Sequence, residues 1–123
     1  MKKKFFNEWY PEGPRQAEGA VSMTKVKNLL KREGYEAAGF RNTRVNGQLR
    51  GCYGFVRKAG SGKVVFVDTE YLTSGTGAGN ILVRFARDEK DYCGHRNEWT
   101  HFAGLAYTLA RMFDDATPDP YDR

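Results

Sequence analysis

The dipeptide Asn46-Gly47 constrains the fold of this chain more than any other feature in it. Both central positions of a type I′ turn need positive φ, which asparagine and glycine tolerate, so the pair predicts a two-residue β-hairpin. With the turn there, Val45 faces Gln48, Phe40 faces Tyr53 and Ala38 faces Phe55. Strand alternation then sorts the hairpin into two faces. Ala38, Phe40, Tyr53 and Phe55 make a face that reads as core. Arg41, Thr43, Gln48, Arg50, Cys52 and Lys58 make one that reads as a basic, hydrogen-bonding surface.

Other elements fall into place around the hairpin. Ser22 or Thr24 caps a helix in which Met23, Val26, Leu29 and Leu30 share one stripe, and Gly34 ends it. Lys31 and Arg32 stand in its last turn, where the helix dipole favours cations. Ala59-Gly60-Ser61-Gly62 turns the chain into a strand over residues 63–71, whose Val64, Val65, Phe66 and Val67 are uniformly apolar and suit a central position. A glycine-rich connection, 73–80, leads to a fourth strand over 81–87. Asn97 or Thr100 then caps a final helix with Trp99, Phe102, Ala106, Leu109 and Phe113 on one stripe. The expected fold class is α+β: a four-stranded antiparallel sheet in the order α-β-β-β-β-α, with a single layer of helices on its aromatic face. Residues 1–21, broken by Pro11, Gly13, Pro14 and Gly19, read as an irregular aromatic arm, 22–114 as one domain and 115–123 as a frayed tail.

Charge is distributed unevenly over the 123 residues. Fourteen of the twenty Lys and Arg precede residue 64, but only five of the fifteen Asp and Glu do. From Ala37 to Val67 no acidic residue occurs, while Arg41, Arg44, Arg50, Arg57, Lys58 and Lys63 all lie there. A field of one sign steers polyanions or acidic protein surfaces, so these six are the candidate nucleic-acid-binding residues. In the arm, Phe6, Trp9 and Tyr10 either pack back on the domain or anchor a protein partner. No apolar run approaches the roughly 20 residues that cross a bilayer, and Asn7 and Glu8 interrupt the Lys2–Phe6 start before a signal sequence develops. Two cysteines, Cys52 and Cys93, do not suggest a disulfide framework, and a cytoplasmic chain with reduced thiols is expected.

Three stretches invite comparison with chemical motifs. Gly60-Ser61-Gly62-Lys63 is similar to the end of a phosphate-binding loop but has Arg57 where that loop needs glycine, Val64 where it needs Ser or Thr, and a strand where it needs a helix. Arg50-Gly51-Cys52-Tyr53-Gly54-Phe55-Val56 resembles the octamer of the RNA-recognition motif over those residues, with Cys52 inserted. Apart from that resemblance, Tyr53 and Phe55 interleave with Arg50, Arg57 and Lys58 as aromatics and cations do on single-strand-binding surfaces. Cys93, His95 and His101, with Asp91 and Glu98 nearby, offer ligand types for zinc or a thiol-imidazole pair, but without paired spacing. No catalytic residue, metal ligand or cofactor is therefore assigned. The expected function is a non-enzymatic basic module that engages nucleic acid or a nucleoprotein complex. The alternative is a small protein-binding inhibitor or accessory protein of a mobile element, acting through a protein interface, for example against a host defence complex. No membrane partner is expected.

Overall fold

The computed structural model describes residues 21–70 and 81–121. Helix α1, Met23–Arg32, is followed by strands β1, Glu36–Val45, β2, Gln48–Arg57, β3, Val64–Asp68, β4, Ile81–Ala86, and β5, His95–Thr100, and then by helix α2, Phe102–Phe113. The strands form one antiparallel sheet in the order β1-β2-β3-β4-β5. The sheet thus has five strands, not four. The extra strand, His-Arg-Asn-Glu-Trp-Thr, lies at an edge and is mostly exposed, so it carries neither the apolar run nor the clean alternation that marks the other strands. Trp99 accordingly sits on β5, paired with Leu82, and not on the stripe of α2, whose N-cap is His101.

β3 accounts for the layering. All five of its residues are buried, so both faces of the sheet must be covered. On one face Cys52, Val56, Val65, Val67, Val83 and Phe85 join Val26, Leu29 and Leu30 of α1 and Leu105, Leu109, Met112 and Phe113 of α2 in one apolar cluster. On the other, Tyr53, Phe55, Val64, Phe66 and Ala86 form a second cluster closed over by Tyr92. The Tyr92 ring lies 5.5 Å from Phe55 and 5.8 Å from both Tyr53 and Phe66, and the Arg84 guanidinium sits 5.2 Å over Phe66 while donating to the Tyr92 carbonyl. The helices therefore cover the aliphatic face, not the aromatic one.

The hairpin explains that reversal. Asn46 and Gly47 have φ of 52° and 78°, and Val45 pairs with Gln48, as a type I′ turn requires. The register does not continue unbroken. It shifts between Ala38 and Arg41 and again between Thr43 and Arg44, and each β-bulge sets two residues against one. At the first bulge, with Gly39 at φ 64°, Phe40 leaves the face it would share with Ala38 and packs into the helix-side cluster over Gly54. Arg41 becomes the partner of Tyr53, while Cys52, expected beside Arg41, lies in the helix-side core.

Gly54 leaves room for nothing larger. A Cβ there would lie 2.3 Å from Cγ of Phe40. Gly54→Ala is expected to destabilise the protein by about 1–3 kcal/mol through overpacking, read as a lower urea midpoint. An unchanged midpoint would show that Phe40 does not fix the hairpin's register.

Candidate nucleic-acid interface

The six cations of the acid-free stretch do not share one surface. Arg41 and Arg44 are exposed on the edge strand β1, and the Arg44 guanidinium donates to the Gly47 carbonyl at 3.2 Å. Lys58 is exposed just beyond β2. Arg57 is partly exposed and ion-paired, its Nε 2.5 Å from Glu89. Arg50 and Lys63 are buried, at 7% and 8% exposure. Phe6, Trp9 and Tyr10 lie outside the described residues.

Lys63 caps a helix. Its ammonium donates to the carbonyls of Met112, Asp114 and Thr117 at 2.8, 2.8 and 2.6 Å, one acceptor for each of its three N–H groups. The last carbonyls of α2 have no partner inside the helix, and a cation there also opposes the negative end of the dipole. The Gly60–Lys63 turn and the 115–121 segment enclose a groove of about 490 Å³ that also contains Asp115 and Asp119. A phosphate in that groove would face two carboxylates and a lysine already fully engaged.

A second source of positive charge was not among the six. Lys25, Lys27, Lys31 and Arg32 of α1 are all exposed, flanking the buried stripe of Val26, Leu29 and Leu30. α1 runs antiparallel to β1: the Met23 amide donates to Asn42 Oδ1 at 2.9 Å, and Arg32 lies four residues before β1 begins. Edge strand and helix thus form one border of the molecule, bearing Lys25, Lys27, Lys31, Arg32, Arg41 and Arg44. The only carboxylates in this part of the chain are Glu33, which pairs with Arg32, and Glu36. The amphipathic pattern of α1 placed these lysines on its outer face, but only the packing of α1 on β1 brings them to the same edge of the sheet as Arg41 and Arg44, with Arg41 on the Tyr53 side of that edge.

Tyr53 and Phe55 offer no stacking platform. They are 9% and 1% exposed beneath Tyr92, so the interleaving of aromatics and cations along β2 does not put the two kinds of residue on a common surface. The residues with possible metal or nucleophile chemistry are also dispersed. Cys52 is buried in the helix-side core, where burial pushes its thiol up to about 12 against the weaker opposing effect of its Thr69 hydrogen bond. Cys93 is exposed. His95 packs edge-on against Tyr121, at 5.4 Å between rings. For Asp91 burial opposes ionisation, but donation from the Arg87 amide, the Tyr121 hydroxyl and the Cys93 amide outweighs it and holds the carboxyl below its ordinary value. Among the described residues no group of three or more His, Cys, Asp or Glu side chains is placed to hold a metal ion, and no helix is long and apolar enough to cross a membrane.

No protein-family model, curated protein or solved structure matches this chain.

Two outcomes follow from these placements. Lys63→Met should cost about 2 kcal/mol or more in a denaturation experiment, because three carbonyls lose a charged donor; an unaltered stability would remove the capping role. A thiol reagent at neutral pH should label Cys93 at once and Cys52 only after unfolding, since a thiol held near 12 supplies almost no thiolate. Rapid labelling of both in the native protein would contradict the burial of Cys52.

Proposed function

We propose that the protein is a non-enzymatic cytoplasmic module that binds nucleic acid, free or within a nucleoprotein complex, through the border formed by α1 and β1. One observation carries this reading. Lys25, Lys27, Lys31 and Arg41 of this border, and Lys58 just past the end of β2 that pairs with the start of β1, are exposed and make no ion pair or side-chain hydrogen bond among the described residues, while other cations of the chain, Arg57, Lys63, Arg84 and Arg111, are internally engaged. Like charges held side by side without counterions repel, and a polyphosphate relieves that repulsion as it releases its condensed counterions. With Tyr53 and Phe55 buried, the surface addresses phosphates and not bases, so its binding is expected to be largely independent of sequence.

A second reading, a small inhibitor or accessory protein of a mobile element that closes on a protein surface, draws on a different part of the molecule. Tyr107, 72% exposed on the outer side of α2, and Trp99, 41% exposed on β5, are the two large apolar side chains most open to solvent among the described residues. Aromatics of this kind anchor protein interfaces.

The two readings separate in a salt titration with generic duplex DNA and RNA. If the five unpaired cations each neutralise one phosphate, log K should fall with log salt at a slope of about −4 to −5. Replacing Lys27, Lys31 and Arg41 together by Ser should reduce that slope by about one per cation and leave the melting temperature nearly unchanged, because exposed charges contribute little to stability. If the wild-type protein shows no salt-dependent binding to either polymer, the nucleic-acid reading is wrong and the protein-interface reading takes its place.

A further inference from the structure

The second β-bulge of the hairpin brings together polar groups that the fold leaves unsatisfied. Thr43 pairs with Gly51 and Arg44 with Leu49, so Arg50 is the extra residue and stands with Gly51 opposite Thr43. Thr43 and Arg50 are 5% and 7% exposed, and neither Thr43 Oγ1 nor Arg50 Nε has a hydrogen-bond partner. Arg50 makes no ion pair among the described residues. A buried guanidinium nitrogen without an acceptor is costly, since desolvation removes the water it would otherwise donate to. Arg41, two residues before Thr43 with no register shift between them, projects from the same face, exposed and also without an ion pair.

We propose that this bulge is a seat for one phosphate group, gripped by the Arg50 guanidinium and the Thr43 hydroxyl and covered from the solvent side by Arg41. Two guanidinium groups and a hydroxyl match a tetrahedral oxyanion, which presents oxygens in several directions at once. Two carboxylates are buried at the same end of the sheet, Asp68 on the face of its partner Tyr53; Asp68 Oδ1 accepts from the Glu70 amide, Asp68 Oδ2 and Glu70 Oε2 accept no hydrogen bond among the described residues, and neither residue forms an ion pair with Arg50, so an anion in the seat binds against their charge. The seat lies on the cationic border assigned above. Identifying the phosphate as part of a nucleic-acid backbone rests on that assignment; the seat itself does not.

Inorganic phosphate titrated into 15N-labelled protein, with sodium acetate at matched ionic strength as the second arm, tests this directly. Phosphate should shift the Arg50 Nε–H and Thr43 amide resonances saturably, and acetate should not. Thr43→Val, which keeps the shape of the side chain, and Arg50→Lys, which keeps the charge, should each weaken phosphate binding about tenfold, and Thr43→Ser should retain it. Absence of a saturable shift, or full binding by Thr43→Val, overturns the seat. So does an equal response to acetate, which would mark the site as one for the carboxylate of a protein partner. A duplex titration on the same samples separates the two claims. Phosphate saturation without duplex binding upholds the seat and removes the nucleic-acid reading. Duplex binding unaffected by Arg50→Lys, with no phosphate response, removes the seat and leaves the reading in place.

Discussion

The two-sided burial of β3 is the constraint from which the rest of the architecture follows. A strand with Val64, Val65, Phe66 and Val67 all inaccessible needs cover above and below, and the chain supplies two covers of different kinds. Two amphipathic helices close the aliphatic face. A short segment carrying Tyr92, locked by Arg84 through its carbonyl, closes the aromatic face. The second closure sets the functional character of the sheet, because aromatics that could have stacked on bases are instead packed on one another at 5.3–6.4 Å. What remains for an external partner is the perimeter.

The basic residues divide along that line. Several cations stabilise particular structural elements: Lys63 a helix end, Arg84 a loop over an aromatic ring, and the partly exposed Arg57 an ion pair to the 87–91 turn. On the α1–β1 border, Arg32 pairs with Glu33 and Arg44 braces the hairpin turn, while Lys25, Lys27, Lys31 and Arg41 have no comparable internal role. Arg50 belongs to neither group, being interior by accessibility yet without the bonds that interior cations elsewhere in this molecule possess.

Sequence and structure agree where the signal is local. The Asn46-Gly47 turn, the Ser22 cap of α1 and the central position of β3 could all be read from neighbouring residues, because positive φ, a side-chain acceptor and an unbroken apolar run act within a few positions. Disagreement begins with the bulges. Ala38, Tyr53 and Phe55 share a face as the alternation predicts, but one extra residue in β1 moves Phe40 off that face and Arg41 and Thr43 onto it, and its only trace is Gly39, one glycine among fourteen. β5 was hidden because an exposed edge strand need not be apolar. Lys63 could not be told from a surface lysine, since its acceptors lie 49 to 54 positions away. The candidate border was half legible: the acid-free stretch marked Arg41 and Arg44, but their alignment with α1 is a product of tertiary packing.

The distance spanned by Lys63 also bears on how the chain reaches this state. The strand that organises both cores begins beside a lysine whose three acceptors belong to the last helix and the turn after it. During synthesis β3 emerges well before those acceptors exist, and until then a strand made almost entirely of valine and phenylalanine has only the α1 part of its helical cover and no terminal anchor. Contacts of such long sequence separation form late and slowly. A ribosome-bound chain lacking α2 is therefore the form of this protein most exposed to self-association and to chaperone capture.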